Sequence, residues 1–236
     1  MKNKKICGNI ILCQPGGNKG CSACCGILNF NNLSKKNLTG FLNAFEERRD
    51  FRAKRAVFWA EKYGVRDKTS HVCPYQGFIG KGKPGCMSHS KINGKCARNK
   101  SIFGSRVCND FLCPAHAILD DEYKRILTGY IDDWYLYTVS IGDPESFIWI
   151  VDEIKKYLRF DFTDNVSPDK KRIKEAMRSA VIIHAEFLNR NKTPVFQYSV
   201  SEYNLHRYLF SLNSKRKDAA RCRKLIVSAI EKILKV

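Results

Sequence analysis

The stretch Gly20-Cys21-Ser22-Ala23-Cys24-Cys25-Gly26 packs three thiols into five residues, and the reading of the chain turns on it. Thiolates held two residues apart by a tight turn can reach one metal ion, which is why a C-x-x-C spacing recurs in zinc and iron–sulfur sites. Adjacent Cys24 and Cys25 are expected to point their side chains apart. One of them then serves the ion that Cys21 serves, and the other serves a second ion or packs as a small buried hydrophobe.

Working outward, Cys108-x4-Cys113 is a second close pair, and Cys73, Cys86 and Cys96 are spread over glycine-rich sequence between the two. A structural zinc or an iron–sulfur cluster takes four ligands. Cys21, Cys24, Cys25, Cys73, Cys86, Cys96, Cys108 and Cys113 therefore suffice for two sites. Long intervals between ligands suit a cluster held from several loops, and the paired C-x-x-C…C-x-x-C of a zinc ribbon is absent. The spacing thus favours one or two iron–sulfur clusters over zinc.

Composition supports a metal more than a disulfide framework. Ten of the eleven cysteines lie at or before Cys113, with Cys222 alone beyond it. Disulfides belong to exported proteins. The basic start Met1 to Lys5 is followed by a short apolar run, Ile6 to Cys13, broken by Gly8 and Asn9. That pattern predicts no cleaved signal, hence a cytoplasmic protein with reduced thiols. No run of about 18 apolar residues occurs, so no membrane span is expected. The formal net charge is +19, and residues 1–113 hold 21 Lys and Arg against 6 Asp and Glu. Four thiolates around Zn²⁺ or a [4Fe–4S]²⁺ core leave a net charge of about −2, which a basic surrounding offsets.

The same charge shift divides the chain. Residues 1–114 read as a cysteine-rich metal-binding domain and residues 115–236 as a small helical bundle, mainly α overall. The segment from Cys73 to Cys113 carries six glycines and two prolines, too many for long regular elements, so metal ligation is expected to staple it. One long helix is predicted from about Gly40 to Tyr63. Beyond residue 114, helices are predicted near Ala115 to Thr138, from Asp143-Pro144-Glu145 to about Phe160, and from Ser167-Pro168-Asp169 to about Asn189. Two more are predicted over Ser201–Leu212 and Lys215–Leu234. The second and third open on a capping residue followed by proline.

Cys21-x2-Cys24-Cys25, Cys73-Pro74, Gly85-Cys86-Met87-Ser88-His89 and Arg106-x-Cys108-x2-Phe111-x-Cys113 follow one another in an order that resembles the YkgJ-type cysteine-cluster family, described as a zinc- or iron-chelating domain. The resemblance covers about residues 18–116 and implies chelation without specifying a reaction. The usual C-x-x-C-x-x-C-C motif would place its first cysteine at position 18, which is Asn18 here. Cys13 is the thiol that could substitute from another direction.

Other residues have plainer readings. Cys7 and Cys13 lie in an apolar stretch and read as packing residues, as does Cys222 on the apolar stripe of the last helix. His71, His89 and His116 flank cysteines and are weaker ligand candidates, while His184 and His206 belong to the bundle. Arg48, Arg52, Arg55, Trp59 and Lys62 form one stripe of the 40–63 helix. It suits nucleic acid, and is read first as a solvated charged face. No P-loop, dinucleotide fingerprint, H-E-x-x-H or nucleophile elbow occurs, so no catalytic residue is assigned. Two readings result. One is a structural or electron-transfer metal module working through an unidentified protein partner. The other is a metal-dependent enzyme acting on an anionic substrate such as nucleic acid.

Overall fold

Asp143 marks how the helices are set end to end. It closes one helix and opens the next: its side chain accepts from the Ser146 amide, and Pro144 occupies the first helical position. Proline there gives up an amide that has no partner in any helix, and its fixed φ already suits the helix. In the computed structural model the described residues are 10–17, 19–45, 72–80, 82–101, 104–158, 169–190, 197–198, 205–206, 212 and 217–235.

Among these residues the architecture is mainly helical, with two short antiparallel strand pairs. The elements in chain order are α1 (Lys35–Asn43), β1 (Gln76–Phe78), β2 (Pro84–Cys86), α2 (Ser90–Asn93), α3 (Gly104–Asp110), α4 (Ala115–Ile118), α5 (Asp121–Tyr130), α6 (Trp134–Gly142), α7 (Pro144–Lys155), α8 (Lys170–Arg190), β3 (Gln197–Tyr198), β4 (Leu205–His206) and α9 (Lys217–Leu234). Short 3-10 turns at Ala23–Cys25, Ile27–Asn29 and Arg98–Lys100 complete the list.

The packing follows from sequence periodicity. On α8 the buried residues are Ile173, Ala176, Met177, Ala180, Val181, His184, Ala185 and Leu188, an unbroken stripe at helical spacing. On α9, Ala219, Cys222, Ile226 and Ile230 form the matching stripe, and the two helices pack along each other. Each fully buried Ile or Leu in such a seam stabilises by roughly 1.5–3 kcal/mol. Between them and the cysteine-rich segment lies α6, which is buried on every side from Trp134 to Gly142.

Four expectations need correction. The helix predicted from Ala115 to Thr138 is three helices. Asp120 caps α5 by accepting from the Tyr123 amide, and Asp133 caps α6 by accepting from those of Tyr135 and Leu136. An aspartate whose side chain satisfies the first free amides makes a new start cheaper than continuing the helix. The helix predicted over Ser201–Leu212 is not formed at Leu205–His206, which pairs as a strand with Gln197–Tyr198. The one helix predicted from about Gly40 to Tyr63 is not continuous: α1 begins at Lys35, where Ser34 accepts from the Asn37 amide, and ends at Asn43 with Ala44 as its cap. Its predicted continuation over residues 46–63, with the stripe Arg48, Arg52, Arg55, Trp59 and Lys62, lies outside the described residues, as do Cys7 and His71. Finally, α7 ends at Lys155, short of the expected end.

The change of composition near residue 114 is not a gap in the packing. Leu12, Ile27, Phe30 and Leu42 belong to the same buried cluster as Tyr137, Phe147, Met177 and Ile226. Tyr137 of α6 donates to the Leu12 carbonyl (2.9 Å), Asn189 of α8 accepts from the Leu33 amide (2.7 Å), and Phe78 stacks edge-on against Trp134 with centroids 5.5 Å apart.

Candidate metal centre

Two glycines shape the Cys21–Cys25 turn. Gly26 takes φ +83, a left-handed conformation that closes the 3-10 turn, and its amide donates to the Ala23 carbonyl. Gly20 runs so close to β2 that a β-carbon would stand 2.3 Å from the Pro84 carbonyl oxygen. The turn is further fastened at both ends. The Cys21 amide donates to the Cys13 carbonyl (3.0 Å), and the Cys73 amide donates to the Cys25 carbonyl (2.8 Å). Buried Gln76 uses its side-chain amide to hold the carbonyls of both Cys25 (2.8 Å) and Cys73 (2.9 Å). The β1–β2 register sets Cys86 opposite Gln76.

These restraints bring thiols from distant sequence to one cavity of about 490 Å³. Cys13, Cys21, Cys24 and Cys25 line it from the amino-terminal segment, Cys73 and Cys86 from around the hairpin, and Cys108 from α3. Of the eight sequence-predicted ligands, Cys21, Cys24, Cys25, Cys73, Cys86 and Cys108 are thus brought together. Cys113 is buried beside them and is an electrostatic neighbour of Cys13, Cys21 and Cys24. Cys96 is not part of the group. It is exposed, follows a helix with no buried residue, and accepts from the Arg98 guanidinium at 3.2 Å. That contact lowers its thiol pKa.

Cys13 takes the opposite correction. Its apolar neighbourhood pointed to packing, yet the residue lines the cavity, and its sulfur lies 3.8 Å from the His116 Nε2. His116 itself is buried, and its Nδ1 has no hydrogen-bond partner among the described residues. Burial lowers its pKa, aided by Lys124. His89 also lines the cavity, with its Nδ1 accepting from the Lys91 amide (3.1 Å). Cys222 is buried on α9 as expected, its thiol pushed up to about 12 by burial. His184 pairs with Asp143 inside the bundle (3.1 Å).

The electrostatics are those of a crowded thiol cluster. Burial, and then the neighbouring Cys24 and Cys113, push the Cys13 thiol far up. Burial does the same for Cys21 and Cys73, raises Cys86, and raises Cys113 to about 12. Cys24 and Cys25 both line the cavity. The Cys24 thiol is held below its ordinary value by its Cys25 neighbour, and the Cys25 thiol is raised by Cys24 and by burial.

The donor set suits a thiophilic cation in kind and number. A bound cation would offset both the burial and the mutual repulsion that oppose ionisation of Cys13, Cys21, Cys73, Cys86 and Cys113. Ser22 Oγ, buried on the cavity wall, has no hydrogen-bond partner among the described residues. Among those residues no three His, Cys, Asp or Glu side chains already stand in the arrangement of a metal site. No disulfide forms either: the ten described cysteines are all free.

Comparison with family models, curated proteins and solved structures finds no match to this chain. No described helix is long and apolar enough to cross a membrane.

Proposed function

We propose that this is a cysteine-ligated metal-binding protein, with an iron–sulfur cluster favoured over zinc, that works as a structural or electron-transfer module in a reducing compartment. The observation that carries the reading is the convergence of seven thiols from three separate segments on one cavity. A hydrophobic core alone gives no reason to collect so many ionisable groups in one place. Each buried thiol loses hydration and meets like charges as soon as it ionises, and only a bound cation compensates both. The long intervals between ligands favour a cluster over a single zinc.

Metal analysis and visible absorption on anaerobically purified protein test this. Iron and acid-labile sulfide in comparable amounts, with broad visible absorption, support a cluster. Zinc without colour supports the structural-zinc form. Metal-free, fully folded protein from metal-replete cells refutes the reading.

A second reading, a metal-dependent enzyme acting on an anionic substrate, draws on Lys83, Lys91 and Arg98, which line the same cavity as the thiols. It requires a coordination position left open to substrate. An anion that perturbs the metal's spectrum at millimolar concentration, in a manner sensitive to Lys91→Ala, would favour it. A spectrum indifferent to anions favours the module.

A further inference from the structure

We infer that the cysteines build two adjoining metal centres, one from Cys13, Cys21, Cys24 and Cys113, the other from Cys25, Cys73, Cys86 and Cys108. The inference rests on the metal-binding reading above and goes beyond it in number, membership and boundary.

Backbone geometry makes the division. On one side, the Cys21 amide bonds to the Cys13 carbonyl at 3.0 Å, laying the two residues side by side. The His116 amide bonds to the Cys113 carbonyl at 3.0 Å, while its ring reaches Cys13 Sγ at 3.8 Å, so Cys113 is tied to the same pair. On the other side, the Cys73 amide bonds to the Cys25 carbonyl at 2.8 Å, and Gln76 clamps both carbonyls. The register partner of Gln76 is Cys86. Cys108 is oriented by Ser101 Oγ at 3.2 Å, and its carbonyl is held by Arg98 at 3.4 Å.

The C-x-x-C spacing of one tight turn gives Cys24 to the set of Cys21, and Cys108 lines the same cavity as Cys25, Cys73 and Cys86. The two sets adjoin at the Cys24–Cys25 step, where consecutive residues of one turn belong to different sets. Each set has four thiols, the number a closed tetrahedral zinc or a cubane cluster takes. Cys96 is left out, and Cys13 fills the place left by Asn18.

Zinc counts the sites. The full chain, stripped by a chelator under anaerobic conditions, is loaded with Zn²⁺ and examined by native mass spectrometry, which counts ions on folded molecules. About two zinc ions per wild-type chain are expected. Cys13→Ser and Cys73→Ser should each keep about one, the double variant about none, and Cys96→Ser both. If Cys73→Ser does not fold, Cys86→Ser tests the same set at a half-buried position. One zinc on the wild-type chain, loss of both ions in each single variant, or loss on Cys96→Ser overturns the two-centre inference while leaving metal binding intact. Wild-type protein that folds and takes up no zinc and no iron overturns the metal reading itself.

Discussion

Replacing Asp143 by alanine should be among the most damaging single changes outside the cysteine cavity. The residue is buried, and so are its partners Ser146 and His184. One carboxylate oxygen accepts from the Ser146 amide (3.3 Å). The other accepts from Ser146 Oγ (2.7 Å) and His184 Nε2 (3.1 Å). Ser146 Oγ in turn accepts from the Leu212 amide (2.7 Å), so the network ties α6, α7, α8 and the chain before α9 at one point. Losing the cap costs about 1 kcal/mol. Stranding a buried imidazole N–H costs about 1–3 kcal/mol more, and the Ser146 hydroxyl loses its acceptor at about 1 kcal/mol. The sum is about 3–5 kcal/mol, or roughly 6–20 °C in melting temperature for a chain of this size. Asp143→Asn keeps an acceptor for the cap and should cost about 1 kcal/mol less. Urea melts of Asp143→Ala, His184→Ala and the double variant provide the measurement. The two changes should be non-additive by at least about 1 kcal/mol. A cost for Asp143→Ala under about 1 kcal/mol, or strict additivity, would refute the account of the network.

Gly20→Ala should destabilise by about 1–3 kcal/mol and lower metal retention, because its β-carbon meets a backbone oxygen that cannot rotate away. Unchanged melting and metal content would show that β2 gives way freely. Cys222→Ser should leave metal content unchanged while costing about 1–2 kcal/mol, since a hydroxyl replaces a buried thiol with no acceptor assigned to it. Hydrogen exchange on chelated against metal-loaded protein should show protection lost around Cys21, Cys73 and Cys86 and extending into α6, which packs on the Ala23–Cys25 turn. The α8–α9 pair should keep its protection, and loss throughout would contradict its independence. Binding to single-stranded nucleic acid should be weak and fall steeply with salt, as a net charge of +19 dictates. Affinity that survives Trp59→Ala and Arg52→Ala at moderate salt would mark the stripe as a solvated face.

The parts of this structure legible in the sequence are those where a local signal agrees with the packing. Asp143-Pro144-Glu145 opens α7, and the apolar stripe on α9 buries Cys222, Ile226 and Ile230. Capping was also where the sequence misled. Asp120-Asp121 and Asp132-Asp133 fall inside the one helix predicted near Ala115 to Thr138, yet each pair restarts the helix. The exchange of Cys13 for Cys96 had no local signal. Cys13 is set in apolar sequence like any packing cysteine, and its place follows from a backbone bond to Cys21 and a contact with His116, which lies 103 residues away. Cys96 shares the glycine-rich setting of the cavity residues but is exposed, with its sulfur accepting from Arg98.

The helix α6 sets a limit on how this protein can change. Along α8 the buried positions recur every three or four residues, leaving room between them for almost any polar substitution. Along α6 all nine positions are buried, and the tyrosine that faces the amino-terminal segment also donates to a backbone carbonyl there. A lineage carrying this fold can therefore let α8 drift on its outer face while α6 stays nearly fixed. In a set of diverged sequences, α6 would stand out as a run of nine slowly changing residues with no helical rhythm, beside helices whose variation keeps that rhythm.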